Sequence, residues 1–138
     1  MKRKLNCVLL IDDDEPTNYL HKRIIEKRNC AKNIEVAQSG TQALEFFTER
    51  INDKHSQPDL ILLDVNMAMM NGWEFLDEYD KLDAEQKKET VIIMLTTTLD
   101  RAYKQKAQEI KTINGFQTKP LSEKMLEEIL NEHFADRL

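Results

Sequence analysis

Three short stretches of almost uninterrupted apolar residues constrain this chain more than anything else: Leu5 to Ile11, Leu60 to Leu63 and Val91 to Leu95. A strand covered on both faces has no polar side to show, so such runs mark the interior of a parallel sheet. Ile34 to Ala37 and a stub around Phe116 read as two further strands. Amphipathic helical patterns lie between and after them. They are marked by Leu20, Ile24 and Ile25; by Ala43, Leu44, Phe47 and Ile51; by Phe75, Leu76, Tyr79 and Leu82; by Leu99, Tyr103 and Ile110; and by Met125, Leu126, Ile129 and Leu130. Five repeats of strand then helix predict an α/β fold, a doubly wound five-stranded parallel sheet with helices on both faces.

The few helix breakers fall at the joints. Pro16 suits a first helical turn, Ser39 with Gln42 and Asn71 with Glu74 have capping-box spacing, and Ser122 can cap the last helix with Leu121 and Leu126 as its staple. With 138 residues the chain predicts one domain over 1–138, with room for a single helix after Pro120 and no effector domain. A formal net charge of -5 argues against direct nucleic-acid binding. The basic start Met1 to Lys4 is followed by an apolar run that meets Asp12 at once, too short for a leader or a membrane span. Cys7 and Cys30 match no metal-ligand spacing and read as buried thiols of a cytoplasmic protein.

Chemistry in such a sheet collects beyond the carboxyl ends of the strands. There the first run leads into Asp12, Asp13, Asp14 and Glu15, and the third into Asp64. The fourth ends in Thr96, Thr97 and Thr98, and the fifth in Lys119 and Pro120. Any one of these has a structural use; Asp14, for instance, is placed to cap a helix. Together they bring several carboxylates to one edge, where mutual repulsion calls for a cation. Oxygen ligands without cysteine or a histidine pair point to Mg²⁺. A carboxylate nucleophile, a metal, an ammonium and a hydroxyl make up the parts needed for phosphoryl transfer.

The segments Val8 to Pro16, Leu60 to Gly72, Met94 to Thr96 and Phe116 to Pro120 together resemble the response-regulator receiver domains of two-component signalling, over essentially the whole chain. The resemblance implies a flavodoxin-like fold and a single-domain, CheY-like switch rather than a turnover enzyme. It implies that Asp64 accepts a phosphoryl group from a sensor histidine kinase or a histidine phosphotransfer protein. It makes Asp12 and Asp13 the acidic pair, with Asp13, Asp64 and the Asn66 carbonyl as metal ligands. Lys119 and Thr96 are to hold the phosphoryl oxygens, and Thr96 with Phe116 is to carry the switch. The signal is to leave through the fourth helix, fifth strand and fifth helix to a downstream protein target, and a phosphorylation-dependent dimer is compatible with this.

Three positions depart from the family pattern. Ala68 stands where proline is usual after Met67, so the loop loses a fixed φ. Thr97 replaces a very small residue and is expected to crowd the approach to Asp64, and Phe116 lacks the hydroxyl of the tyrosine common in relatives. Elsewhere His21, His55 and His133 read as surface histidines, Met67, Met69 and Met70 as packing around the acceptor, and Trp73 as packing in a first helical turn. The basic run His21, Lys22 and Arg23 with Lys27 and Arg28 reads as a solvated face, to which the resemblance adds a share in docking the phosphodonor.

Two other readings use the same residues. A haloacid-dehalogenase-type phosphatase would place the phosphoryl group on Asp12 with Asp14 as its partner; Pro16, the missing acidic pair after Lys119 and the lack of length for a cap oppose it. A degenerate receiver that only binds partners is opposed by the complete set of acids, threonine and lysine.

Overall fold

The computed structural model describes residues 2–49, 57–82, 89–97 and 101–138. Ile51, His55, Thr98 and Leu99 lie outside the described residues. Five strands alternate with five helices: β1 (Leu5–Ile11), α1 (Glu15–Arg28), β2 (Ala31–Ala37), α2 (Gly40–Glu49), β3 (Leu60–Asp64), α3 (Gly72–Asp80), β4 (Val91–Thr96), α4 (Arg101–Glu109), β5 (Gly115–Thr118) and α5 (Glu123–His133), followed by a 3₁₀ turn at Ala135–Arg137. The strands form one parallel sheet in the order β2-β1-β3-β4-β5. This is the doubly wound parallel architecture that the apolar runs predict, and the flavodoxin-like fold that the resemblance implies.

Alternate strand residues feed two cores. Val8, Leu10, Leu60, Leu62, Ile93 and Leu95 pack with Ile25 of α1 and Leu126, Ile129 and Leu130 of α5. Leu9, Ile11, Ile61, Leu63, Ile92 and Met94 pack with Ala43 and Phe47 of α2 and Phe75, Leu76 and Tyr79 of α3. Because β1 and β3 are sandwiched, almost every residue in them is buried, which is why they were so visible in the sequence. Both cysteines are buried free thiols, and burial raises the pKa of Cys30.

The caps fall where the sequence places them. Asn71 accepts from Glu74 N (2.9 Å) while Glu74 accepts from Asn71 N (3.2 Å), a complete capping box. Ser122 accepts from Met125 N at 3.1 Å, with Leu121 and Leu126 in one cluster beneath it. Ser39 accepts from Gln42 N, but the Gln42 side chain reaches back to Gln38 N rather than to Ser39.

Three sequence expectations need correction. The second strand begins at Ala31, not Ile34: it is an edge strand paired only with β1, and its exposed Lys32 and Asn33 hide it from an apolar count. The inner face of α1 is not led by Leu20, which is 45% exposed; its buried residues are Asn18, His21 and Ile25. Neither is the basic side of α1 simply solvated. Lys27 pairs with Glu123 of α5 at 2.7 Å, and Arg28 pairs with Glu127.

Candidate functional site

Parallel pairing sets the carboxyl ends of β1, β3 and β4 side by side, with Ile11 opposite Leu63 and Asp64 opposite Leu95. The residues that follow therefore converge. Asp12 and Asp64 are buried, Asp13 is exposed, and one carboxylate oxygen from each lies within 4.8 Å of the others. Lys119, one residue past β5, completes the group: its Nζ lies 2.6 Å from Asp12 Oδ2 and 3.2 Å from Asp64 Oδ1. A cleft of about 380 Å³ opens over them, walled by Thr17, Asn66, Thr97 and Pro120.

Backbone groups fix the acids. Asp14 N donates to Asp12 Oδ1 at 2.9 Å, and Asn66 N donates to Asp64 Oδ1 at 3.3 Å. Ala68 supplies what a proline there could not, an N–H, and it donates to Asp13 Oδ2 at 3.1 Å. The loop reaches this position through Met69, in the left-handed region with φ 67°, and through Gly72. A Cβ on Gly72 would stand 2.6 Å from the Asp64 carbonyl oxygen, so only glycine lets α3 start this close to the end of β3.

The electrostatics follow from burial and crowding. Burial, then repulsion from Asp12, pushes the Asp64 carboxyl up to about 6 against the pull of Lys119. Burial works against the Lys119 ammonium, but its hydrogen bond to Asp12 and the charges of Asp12 and Asp64 outweigh this and raise its pKa. Three acids offering oxygen atoms at close range, with one resident ammonium, suit a hard divalent cation such as Mg²⁺.

The structure brings together Asp12, Asp13, Asp64, Asn66 and Lys119. Thr96 ends the neighbouring strand and is completely buried, so the exposed Thr97 forms the cleft wall there. Phe116 is half-buried on β5 and lines a separate groove with Lys104 and Ala107 of α4. Asp14 caps α1, accepting from Thr17 N and from the Thr17 hydroxyl, which together lower its pKa. The phosphatase reading needs that carboxylate as a free acid; Asp14 lines the cleft, but its Oδ2 is engaged in capping the helix.

Several contacts around the site are not evident in the sequence. Asn18 donates to the Asp12 carbonyl at 2.8 Å. Tyr103 of α4 donates to Asn66 Oδ1 at 3.4 Å and meets the Trp73 ring edge-on at 5.9 Å, with Lys106 Nζ 4.8 Å from the centre of that ring. His21 is buried rather than on the surface, and its Nε2 accepts from Leu121 N at 3.0 Å. His133 is half-buried at the end of α5. Of the loop methionines, Met67 packs inside as expected, Met70 is half-buried, and Met69 is fully exposed.

A doubly wound sheet with this acid cluster and lysine at its carboxyl edge defines a class, and the comparisons agree. The chain belongs to the response regulator receiver domain family, whose model matches residues 8–131; this is a signalling domain of two-component systems, not a turnover enzyme. It is similar to a two-component response regulator from Cytophaga hutchinsonii, with 29% identity and a TM-score of 0.87 over 96% of this chain and 99% of that one. It is 31% identical, over 90% of its length, to hybrid signal transduction histidine kinase I of Dictyostelium discoideum, and spans 7% of that protein. With the transcriptional regulatory protein CpxR of Escherichia coli it shares 36% identity over 70% of its length, spanning 37% of the relative. The chain thus spans well under half of these curated relatives. No helix among the described residues is long and apolar enough to cross a membrane.

Proposed function

We propose that the chain is a phosphoacceptor switch that takes a phosphoryl group onto Asp64 from a phosphohistidine on a sensor histidine kinase or a phosphotransfer protein. The observation that carries this reading is the buried Asp64 carboxylate, 3.2 Å from Lys119 Nζ and grouped with Asp12 and Asp13 beneath an open cleft. An Asp64 carboxylate oxygen attacks phosphorus, the P–N bond to the donor imidazole breaks, and the imidazole leaves with the electron pair and takes up a proton. The raised pKa of Asp64 reflects an under-solvated carboxylate, which makes it a stronger nucleophile once ionised. Lys119, already pointed at Asp64, is placed to neutralise a phosphoryl oxygen.

Asp12, Asp13, Asp64 and the Asn66 carbonyl would hold a Mg²⁺, which when bound offsets the charge on the transferring oxygens. Thr96 and Phe116 would couple the modified site to the α4–β5–α5 face and so to a downstream protein. The test is intact mass after incubation with acetyl phosphate and Mg²⁺. The parent and Asp12→Asn are expected to gain a phosphoryl mass, Asp12→Asn more slowly, and Asp64→Asn or chelation to abolish it. Full labelling of Asp64→Asn with none of Asp12→Asn would overturn this assignment in favour of the phosphatase chemistry.

A further inference from the structure

His21 is an imidazole sealed inside the protein, 2% exposed, on the helix that follows the acidic loop. Among the described residues its hydrogen bond is accepted, not donated: Nε2 takes the Leu121 N–H at 3.0 Å. Accepting at Nε2 requires a neutral ring with its proton on Nδ1. Leu121 is itself buried and stands two residues beyond Lys119. On its other side Lys119 is held by its own N–H, which donates to the Thr96 carbonyl at 2.8 Å. The backbone carrying the lysine is thus pinned at two points, one on β4 and one on α1. Three residues before His21, on the same face of α1, Asn18 holds the carbonyl of Asp12, the acid that pairs with Lys119 at 2.6 Å. One helical face therefore grips both partners of that ion pair.

We infer that His21 is a positioning residue for Lys119, its neutral imidazole setting through the Leu121 amide how far the ammonium reaches over Asp12 and Asp64. This rests on the role given to Lys119 above and extends it to a residue that never touches the reacting atoms. Protonation of Nε2 would turn the acceptor into a second donor facing the Leu121 N–H and release the loop. Burial holds the imidazole below the ordinary histidine range; Asp12 on β1 favours the charged ring and Lys119 opposes it. Of the other elements packed against α1, α5 carries Glu123 and Glu127, paired with Lys27 and Arg28, and β2 carries Lys32 and Glu35, both exposed. Release is therefore an acid-side event.

The experiment measures the initial rate of phosphoryl incorporation from acetyl phosphate at saturating Mg²⁺, by intact mass, at about pH 8 and at about pH 5, below the ordinary histidine range. Parent, His21→Leu, His21→Gln and Lys119→Ala are compared, with a thermal melt on each. Leucine fills the site without an acceptor and is expected to slow labelling by about tenfold or more. Glutamine restores an acceptor oxygen that does not titrate, so it is expected to recover most of the rate and to lose less of it than the parent at the lower pH. Parent-like labelling of a folded His21→Leu, with Lys119→Ala slow, overturns the inference alone. Parent-like labelling of Lys119→Ala overturns the role of the lysine itself. Should His21→Leu fail to fold, the pH comparison decides, and identical profiles for parent and His21→Gln overturn the inference.

Discussion

Replacing Asp64 by Asn keeps the shape of the side chain and removes one buried negative charge, so it measures what ionising that carboxylate costs the metal-free protein. Burial and Asp12 push the carboxyl up to about 6 even though Lys119 Nζ lies 3.2 Å away. A pKa raised on folding means that the native state binds the proton more tightly than the unfolded chain does. The associated stability is complete at pH below the ordinary aspartate range and is lost as pH rises through about 6. The free energy corresponding to that rise is about 3 kcal/mol. Relaxation and water entry reduce it, and Lys119 keeps its 2.6 Å contact with Asp12 in the variant, so a gain of about 1–3 kcal/mol is expected for Asp64→Asn at pH 8. Near pH 4, where the parent carboxyl is also neutral, the two proteins should agree within about 0.5 kcal/mol. Urea unfolding in the presence of a chelator, at both pH values and with equal m-values, reads the difference directly. Asp13→Asn serves as the control: its carboxylate is exposed, so a change of under about 0.5 kcal/mol at either pH is expected. A gap for Asp64→Asn that does not change with pH, or a less stable variant at pH 8, would refute this account of the site's electrostatics.

Two substitutions probe the walls of the site. Thr97 is exposed at the cleft beside Asp64, so Thr97→Ala should raise the rate of acetyl phosphate labelling, of hydrolysis or of both severalfold, leaving the melting temperature unchanged; unaltered rates for both would show that the extra bulk does not obstruct the cleft. Gly72→Ala drives a Cβ to within 2.6 Å of the Asp64 carbonyl oxygen and should cost about 1–3 kcal/mol in urea unfolding while slowing labelling; a neutral effect on both would mean that the start of α3 yields without disturbing Asp64.

The sheet was legible where burial is two-sided. The central strands β1 and β3 are buried along nearly their whole length, so a polar residue there loses its water, and the two that occur stand at the ends, half-buried Asn6 in β1 and the site residue Asp64 in β3. The edge strand β2 carries Lys32, Asn33 and Glu35 in the open and so lost its first turn of residues to the loop before it. The strand-end residues Asp12 and Asp64 were legible for the opposite reason, a charge directly after an apolar run having no packing role to explain it, whereas Lys119 follows Gln117 and Thr118 and was legible only by its place at the end of the fifth strand. What the sequence concealed was α1. Near its start the helix lies over exposed backbone groups, the Asp12 carbonyl and the Leu121 amide, which need partners in a dry setting, so Asn18 and His21 turn inward. Further along it lies over hydrocarbon, and Ile25 turns inward. Hydrophobic periodicity sees only the second half of this arrangement, which is why Leu20 was assigned to a face that it does not occupy. Ala68 was likewise readable as a missing proline but not as a gained N–H, because the acceptor, Asp13, lies 55 residues away in sequence.

The same geometry explains why Lys119 need not wait for a phosphoryl group to have a partner. Three carboxylates against one ammonium leave the cluster with two formal negative charges in excess, the complement of a single divalent cation. The lysine divides itself between Asp12 and Asp64, and it cannot satisfy both fully: the shorter contact goes to Asp12, and Asp64 is left with the raised pKa. In the proposed reaction the Asp64 carboxylate gives up its charge to become an acyl phosphate, and new charge appears further out, on the phosphoryl oxygens. The pull on Lys119 therefore shifts outward and away from Asp12 without any change in the number of residues involved. A lysine on a freely moving loop would follow that shift at no gain to the rest of the molecule. Tied to β4 by its own N–H and to α1 through Leu121 and His21, it has to carry backbone with it, so the change of charge at Asp64 acts on the junction of β5 and α5.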